Sequence, residues 1–300
     1  MPLKELIDNP HSERVRRLVA LGRGSSHDSK RFLVEGPQSV REAVRYVSNS
    51  LTDIYVNEEA CVRNEEENNQ LSTLQAIIKE ALSKDLYVHP VSSDIIQKIS
   101  SDSQGIVAVA DSQSLDEAYA SEFQNLQKYA RVENADKPLL IAACWQVRDP
   151  GNAGAIIRVA DVAGCDAVVF VDDCVSRWNT KLVRSTAGSL FHLPVVQISV
   201  QNWFDYAKKS NIRVIAADIY GTDKLKPVPF PNILENNEIT SSSLAILFGN
   251  EARGLPQEIL KQVDNISIIP IYGKAESMNL ATSAAVMLMG LAMSSHERKI

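Results

Sequence analysis

The feature that most constrains this chain is the alternation of short, almost continuously apolar segments with helical stretches after Pro138. Strands that are apolar along their whole length are typical of a parallel sheet covered by helices on both faces. The pattern therefore predicts an α/β fold with a mostly parallel sheet. A long closing helix is predicted from about Met278 to Ser295. The predicted strands are Leu139–Ala143, Ala167–Val171, Val195–Ile198, Val214–Ala217, Leu244–Phe248 and Ile266–Ile269.

A second, smaller α/β unit is predicted before this region, because 300 residues are about twice a typical domain length. Residues 57–69 are acidic and polar, which indicates a solvated loop or a helix start. Residues 111–137 lack strand signals and indicate a connector with some helix in it. The predicted domains are therefore 1–110 and 138–300. The predicted elements of the first are Phe32–Val34, Ser39–Val47, Leu51–Val56, Leu71–Leu82, Leu86–Val88 and Ile106–Val109.

The charge of the chain is informative mainly through its distribution. A formal net charge of −6 and a pI near 5.5 argue against nucleic-acid binding through bulk charge alone. Residues 11–45, however, carry eight Lys and Arg against four acids, whereas residues 57–80 carry six Glu against Arg63 and Lys79. An acidic protein can still carry a local basic surface, and the positive charge of this chain is concentrated in its N-terminal segment.

The cysteines and apolar runs predict a cytoplasmic protein without a metal site or a membrane span. No C-x-x-C pair and no His adjacent to a Cys occurs, so buried free thiols in a reducing cytosol are expected. The longest apolar run, Ala284–Met293, is about half of what a bilayer span needs. The N-terminus lacks the pattern of a secretory signal. The cysteines are Cys61, Cys144, Cys165 and Cys174.

Polar residues follow the first predicted strand of the parallel sheet, and ligands of such sheets bind at the carboxyl ends of strands. In the segment from Asp149 to Arg158, Asn152 is predicted to cap the following helix. Arg158 lies six residues further on and could reach a ligand at the helix N-terminus. The spacing alone is equally compatible with this ligand-binding role and with a capped helix that carries a solvated Arg.

A second polar loop, Leu247–Leu255, follows the predicted strand Leu244–Phe248. Gly249 lets the backbone approach a ligand closely, and Asn250 and Glu251 follow it. The loop has no G-K-[ST] sequence and no G-x-G-x-x-G sequence, so it is neither a Walker A loop nor a dinucleotide fingerprint.

A third polar loop runs from Ile269 to Leu280 and opens the final helix. Ser277 and Asn279 are its candidate functional side chains, and a helix cap made by Ser277 is the alternative explanation. Asp172 and Asp173 follow another strand and imitate a ribose-binding acid, but we expect them to be solvated loop carboxylates.

Together these loops resemble one family. The segments N-x-G-x-I-x-R (152–158), G-N-E-x-x-G-L (249–255) and I-P-I with E-S-M-N-L (269–280) match the three motifs of the SpoU (TrmH) class of RNA ribose 2′-O-methyltransferases, in the SPOUT superfamily. The resemblance spans about 138–295 and includes the stretch 184–194. More weakly, Phe32-Leu-Val-Glu-Gly36, Glu42-Ala43 and Gln104-Gly-Ile-Val-Ala108 resemble the family's L30e-like substrate-binding domain; Gly24–Asp28 dilutes the basic cluster often found before it.

The resemblance implies methyl transfer from S-adenosylmethionine to a ribose 2′-hydroxyl, in a homodimer whose catalytic sheet carries a deep trefoil knot. The implied catalytic and substrate-orienting residues are Asn152, Arg158, Glu251, Ser277 and Asn279. Glu251 would orient Arg158 or a neighbouring polar group. The implied cofactor-binding residues are Leu247, Gly249, Asn250, Ile269, Ile271, Ser277 and Met278.

Within this resemblance the substrate stays open. A separate N-terminal domain favours rRNA over tRNA, and a tRNA 2′-O-methyltransferase is the alternative. A catalytically inactive RNA-binding factor for ribosome assembly on the same scaffold is a second alternative, against which the intact set of five catalytic positions counts. A nucleotide-binding oxidoreductase is a third, and the missing G-x-G-x-x-G turn argues against it.

Overall fold

The computed structural model of the chain describes residues 4–23, 30–61, 72–130 and 138–295. The predicted helix start at Leu71 and the end of the predicted connector, 131–137, fall outside these ranges, as does Gly24–Asp28. The helices are α1 (Glu13–Gly22), α2 (Pro37–Tyr46), α3 (Thr73–Ser83), α4 (Ser93–Ile99), α5 (Ser112–Ala130), α6 (Pro150–Val162), α7 (Thr180–Ser185), α8 (Val200–Lys209), α9 (Phe230–Glu235), α10 (Asn237–Thr240), α11 (Gln257–Leu260) and α12 (Leu280–Ser295).

The described strands form two separate sheets. Short 3-10 turns lie at Ser48–Ser50, Glu58–Cys61 and Ser189–Phe191. The strands are β1 (Arg31–Glu35), β2 (Leu51–Asn57), β3 (Val88–Val91), β4 (Ile106–Asp111), β5 (Leu140–Trp145), β6 (Ala167–Val171), β7 (Val195–Ile198), β8 (Arg213–Ala217), β9 (Val228–Pro229), β10 (Leu244–Phe248) and β11 (Asn265–Ile268).

Contacts divide the chain into two compact units. The first comprises residues 1–117 with Ser176–His192, and the second comprises Ala118–Val175 with Leu193–Ile300. The first unit is therefore discontinuous in sequence, which no local pattern indicated. The predicted boundaries at 110 and 138 stay predictions, and α5 occupies most of the predicted connector.

The second unit has a seven-stranded sheet in the order β7-β6-β5-β10-β8-β11-β9, and every neighbouring pair is parallel. All residues of β5, β6 and β10 are buried, because helices must cover both faces of a parallel sheet. The prediction of an α/β fold with a mostly parallel sheet is confirmed. All six predicted strands form within one or two residues of their predicted bounds, whereas β9 has only two residues, too few to give an apolar run.

The first unit has a four-stranded sheet in the order β1-β4-β2-β3, antiparallel except for the pair β2 and β3. Three of the four strands predicted there form. The strand predicted at Leu86–Val88 is displaced and shares only Val88 with β3, because pairing with β2 begins at Val88 and continues to Val91. Helices α1 and α4 were not predicted. Helix α1 buries Val15, Leu18 and Val19, which stand at the i, i+3 and i+4 spacing of an amphipathic helix, so a signal for it was present in the sequence. These side chains belong to a core shared with Ile95 and Ile99 of α4.

Residues 176–192 are held in the first unit by ring stacking and ion pairs. Trp178 stacks on Phe32 with ring centroids 4.6 Å apart. Arg184 donates to the buried carboxylate of Glu35 at 3.1 Å. Burial raises the pKa of Glu35, although the positive charge of Arg184 opposes that shift. The segment is thus part of this unit's packing.

Candidate active site

Helix α6 is capped by Asp149, not by Asn152 as predicted. The Asp149 carboxylate accepts the backbone N–H of Asn152 at 2.7 Å, and Pro150 occupies the first helical turn. Asp caps helices as well as Asn does, and proline at this position is preset for a helix and lacks the N–H that the first turn leaves unpaired. The side chain of Asn152 is consequently free for other contacts.

Asn152 links the three motif loops. Its Oδ1 accepts a hydrogen bond from Nδ2 of Asn279 at 3.0 Å. Its own Nδ2 donates to Oε1 of Glu251 at 3.4 Å. The first, second and third polar loops therefore meet in one side-chain network, here called the Asn–Asn–Glu network, at the carboxyl ends of β5, β10 and β11.

Glu251 fixes the loop after β5 as well as Asn152. Its carboxylate accepts the backbone N–H groups of Arg148 at 3.2 Å and Asp149 at 3.0 Å. It also lies 3.5 Å from Nδ2 of Asn250. Of the two orientations expected for Glu251, the structure shows the one toward a neighbouring polar group, Asn152.

The loop after β10 is closed by backbone and side-chain bonds around Asn250. Oδ1 of Asn250 accepts the N–H groups of Ala252 and Arg253, and its Nδ2 donates to the carbonyl of Gln146 at 2.8 Å. Its backbone pairs with that of Gly254 in both directions. The backbone of Gly249 passes close to that of Gly254, and this close approach is here called the crossing. A Cβ on Gly249 would lie 2.5 Å from the carbonyl carbon of Gly254, so no other residue fits there.

Helix α12 is capped by Asn279, which excludes the alternative of a Ser277 cap. Oδ1 of Asn279 accepts the N–H groups of Ala281 at 2.9 Å and Thr282 at 3.3 Å. Asn279 thus uses its oxygen for the helix and its NH₂ for Asn152. Ser277 is exposed, and its hydroxyl makes no hydrogen bond with the described residues.

These loops border a cleft of about 610 Å³ in the second unit. This volume is within the range of small-molecule sites. The lining combines apolar side chains with carboxylates, amides, hydroxyls and the guanidinium of Arg253. The predicted site residues that line it are Asn152, Gly249, Asn250, Glu251, Ile269, Ile271, Ser277, Met278 and Asn279.

Two predicted site residues lie outside this lining. Leu247 is 1% exposed inside β10, and its neighbour Phe248 borders the cleft instead, because successive side chains of a strand point to opposite faces. Arg158 is exposed on α6 and makes no hydrogen bond or ion pair with the described residues.

The sequence reasoning missed the side of the cleft after β8. Asp218, Ile219 and Tyr220 line the cleft there, and Oδ1 of Asp218 accepts the N–H groups of Tyr220 and Gly221. Their position after a predicted parallel strand was the available signal. Met287 of α12 also contributes.

Asp172 is not the solvated carboxylate that we expected. It accepts the indole N–H of Trp145 at 2.9 Å and the backbone N–H of Val200 at 2.8 Å. Asp173 is exposed and pairs with Arg148 at 2.6 Å. Neither carboxylate lines the cleft.

The thiols are unsuited to nucleophilic catalysis. No disulfide is present, and Cys144, Cys165 and Cys174 are buried, as expected. Burial raises the pKa of Cys144 well above its ordinary value and that of Cys174 to about 11. Among the described residues there is no cluster of three or more His, Cys, Asp or Glu that could hold a metal. None of the described helices is long and apolar enough to cross a membrane.

The fold and the cleft define an α/β protein with a cleft of small-molecule size at the carboxyl ends of its parallel strands, where open α/β sheets bind ligands. The fixed Asn–Asn–Glu network stands beside a free hydroxyl, so the site can position polar groups of a ligand. Residues 139–289 match the model of the SpoU rRNA Methylase family, which is half of the chain. The chain belongs to this family.

Relatives and solved structures agree with this assignment. The Bacillus subtilis 23S rRNA (guanosine(2553)-2′-O)-methyltransferase RlmP is 38% identical over 161 residues, which cover 54% of this chain and 60% of that protein. The Bordetella pertussis 23S rRNA (guanosine-2′-O-)-methyltransferase RlmB is 24% identical over 85% of this chain and 94% of its own length. The AdoMet-bound rRNA methyltransferase of Sinorhizobium meliloti shares the fold with a TM-score of 0.76 and 21% identity, over 99% of this chain and 100% of that chain.

Proposed function

We propose that this protein transfers a methyl group from S-adenosylmethionine to a ribose 2′-hydroxyl of rRNA. The observation that carries the proposal is the Asn–Asn–Glu network, which joins three separated motifs at the edge of one cleft. The family and the rRNA 2′-O-methyltransferase names of its relatives support the same reaction.

The cleft residues fit S-adenosylmethionine. Ile269, Ile271 and Met278 offer apolar surface for an adenosyl group. Asp218 and Glu251 place carboxylates in the lining, which suits a ligand that carries a positive sulfonium. Gly249 keeps the loop close to the sheet, so backbone groups stand near the ligand. When bound, the cofactor supplies an electrophilic methyl group.

The residues of the chain mainly position the 2′-hydroxyl, because methyl transfer needs the oxygen in line behind the methyl group. The free hydroxyl of Ser277 borders the cleft and can donate to or accept from the ribose or the cofactor. Asn279, Asn152 and Glu251 hold each other in fixed orientations beside it. Glu251 acts through Asn152 and the backbone of the α6 loop.

Arg158 is assigned to the RNA. A guanidinium stays protonated in proteins, so it binds phosphate and stabilises developing alkoxide charge better than it removes a proton. Arg158 is exposed on α6 and has no acidic partner among the described residues, so its guanidinium is available to bind a phosphate of the RNA. Loss of the 2′-hydroxyl proton then runs to water or to phosphate.

The finer features of the family belong to the same proposal. We expect a trefoil knot in the second unit, an L30e-like RNA-binding role for the N-terminal domain, and a homodimer. Val162, Val286 and Met293 expose apolar surface on α6 and α12, which would suit an interface between copies. An rRNA substrate would place the protein in the cytoplasm.

The test is transfer of tritiated methyl groups from S-adenosylmethionine to 16S and 23S rRNA transcribed in vitro, with transcribed tRNA in parallel. A 2′-O-methyl group blocks alkaline cleavage of the next phosphodiester, so resistant dinucleotides identify the modified position. Transfer to rRNA supports the proposal, transfer only to tRNA corrects the substrate, and cofactor binding without transfer to any RNA favours the inactive ribosome-assembly factor.

Arg158→Ala separates RNA positioning from cofactor binding. We expect it to abolish methyl transfer and to leave the Kd for S-adenosylmethionine nearly unchanged, because Arg158 is outside the cleft lining. Asn202→Ala, on an exposed asparagine of α8 outside the cleft, is the matched control and should retain activity. A tenfold or greater loss of cofactor affinity in Arg158→Ala would refute this division of roles.

A further inference from the structure

Two tyrosines are almost fully exposed beyond neighbouring strands of the parallel sheet. Tyr220 is 79% exposed in the loop after β8, and Tyr272 is 93% exposed in the loop after β11. These strands pair in parallel, with Ala217 opposite Ser267. The two loops therefore leave the same edge of the sheet side by side, three and five residues beyond this pair.

This edge is also the mouth of the cleft. Tyr220 lines the cleft, and so does Ile271, the residue before Tyr272. An exposed aromatic ring loses the free energy that its burial would provide, so a pair of them beside a binding site calls for a ligand with a flat apolar face.

Charged side chains surround the rings, although the preceding residues Ile219 and Ile271 also expose apolar surface. The loop of Tyr220 continues through exposed Asp223, Lys224 and Lys226, and the loop of Tyr272 carries exposed Lys274 and Glu276. Cores of protein interfaces are depleted of charged residues, whereas surfaces for single-stranded nucleic acid combine cations with aromatic rings. The setting therefore favours RNA over a second copy of the chain.

We propose that Tyr220 and Tyr272 stack on unpaired bases at or beside the nucleotide to be methylated, and so select an unpaired segment of RNA. The inference rests on the proposed function and specifies its substrate class. A base inside a duplex has both faces covered by its neighbours and cannot offer one to a side chain, whereas bases of loops and bulges can be splayed onto aromatic rings. The lysines would hold the phosphates of the same segment.

The test uses the full chain with saturating S-adenosylhomocysteine and an eight-nucleotide RNA containing one 2-aminopurine, whose fluorescence is quenched by stacking. The same RNA annealed to its complement is the duplex probe. The variants are Tyr220→Ala, Tyr272→Ala and the two Tyr→Phe substitutions, which keep the ring. Asn202→Ala, at an exposed residue of α8 outside the cleft, is the control.

We expect quenching with the single strand and not with the duplex. Each Ala variant should raise the Kd for the single strand roughly tenfold, a loss typical of one stacked base. The Phe variants and Asn202→Ala should retain wild-type Kd values for the single strand. Tyr272→Ala should not change the Kd for S-adenosylmethionine, because Tyr272 is not among the residues that line the cleft. With rRNA as methyl acceptor, KM should rise while kcat changes little.

Three outcomes would overturn the inference: unchanged Kd and quenching in both Ala variants, equal binding of duplex and single strand, or conversion of a dimer to monomers in the Ala variants. The third would assign the rings to an interface between copies. Failure of the proposed function is separate: a wild-type protein that quenches the single strand but methylates no RNA would refute methyl transfer and still support the stacking surface.

Discussion

The side-chain NH₂ of Asn279 donates to Oδ1 of Asn152 across 3.0 Å and 127 positions of sequence. The amide oxygen of the same side chain, Oδ1, caps α12. One residue therefore fixes the start of a helix and also the orientation of Asn152, which in turn contacts Glu251. Stability and site geometry share this residue, and the two roles can be separated by substitution.

Substitution of Asn279 should separate the cap from the network. Asn279→Ala removes both and should cost about 1 kcal/mol of stability together with most of the methyl-transfer rate. Asn279→Ser keeps an oxygen that can cap α12 but lacks the NH₂ group, so it should retain stability and lose rate. Urea unfolding and single-turnover methylation would measure the two effects. A Ser variant with wild-type kcat would show that the bond to Asn152 is dispensable.

Gly249→Ala should prevent the loop after β10 from closing. Its Cβ would meet the backbone of Gly254 at 2.5 Å, and overpacking of this kind costs about 1–3 kcal/mol. We expect a large loss of affinity for S-adenosylmethionine, measured by calorimetry. Gly273→Ala is the matched control in the neighbouring motif loop, because its Cβ would have no heavy atom within 4 Å. Equal affinities of the two variants would contradict the proposed role of the crossing.

The ion-pair cluster of the first unit should make its stability depend on acid pH. Asp53 contacts His89 at 2.7 Å and Arg14 at 3.0 Å. Burial alone would raise the pKa of Asp53, but the hydrogen bond and charge of His89 and the charge of Arg14 outweigh it, so the pKa is lowered. This stabilisation is present above the unfolded pKa, about 3.9, and is lost as the pH falls through the lower folded value.

Asp53→Asn should therefore lower the urea midpoint at pH 7, and the difference from wild type should shrink below about pH 4. Asp85→Asn is a suitable control, because Asp85 is exposed with φ near 58°, a conformation that Asn also accepts. A difference for Asp53→Asn that stays constant between pH 3 and pH 7 would rule out this linkage.

Thiol labelling should report the burial of the cysteines. Cys61 is partly exposed, whereas the other three are buried, with the pKa of Cys174 raised to about 11 by burial. A thiol reagent at pH 8 should modify one thiol in the native protein and four after denaturation. Burial and the charge of Glu58 raise the pKa of Cys61, so its native reaction should be slower than that of a free thiol, since the thiolate is the reactive form. Cys61→Ser should remove the native reaction. Rapid labelling of two or more thiols in the folded protein would be inconsistent with the structure.

The strands of the parallel sheet could be predicted from sequence because each is a short run of buried apolar residues. Helix starts were less accessible. Asp149 and Asn152 are both good capping residues and lie three positions apart, and Asp149 is the one that caps α6. Ser277 and Asn279 are also both good capping residues, and Asn279 is the one that caps α12. In neither case had the sequence indicated this residue as the cap. Pro150 was the local signal for the first.

The meeting of Asn152 with Glu251 needed information that no local pattern contains. It depends on β10 lying beside β5, with Phe248 opposite Cys144. Motif order indicated which loops matter, but strand order decides which loops touch. Tyr220 was not predicted as a cleft residue for a related reason. Its loop joins the cleft through the pairing of β8 with β11.

The discontinuous first unit has a consequence for synthesis on the ribosome. Domains generally fold as units while the chain emerges from its N-terminus, but Phe32 and Glu35 must wait for Trp178 and Arg184 before their contacts can form. At roughly 5–20 residues per second, the nascent unit stays incomplete for several seconds while β5 and β6 are being made. Slow codons that delay synthesis in this interval would therefore change the yield of folded protein more than an equal delay after His192. A chaperone that binds the incomplete unit would act in the same interval.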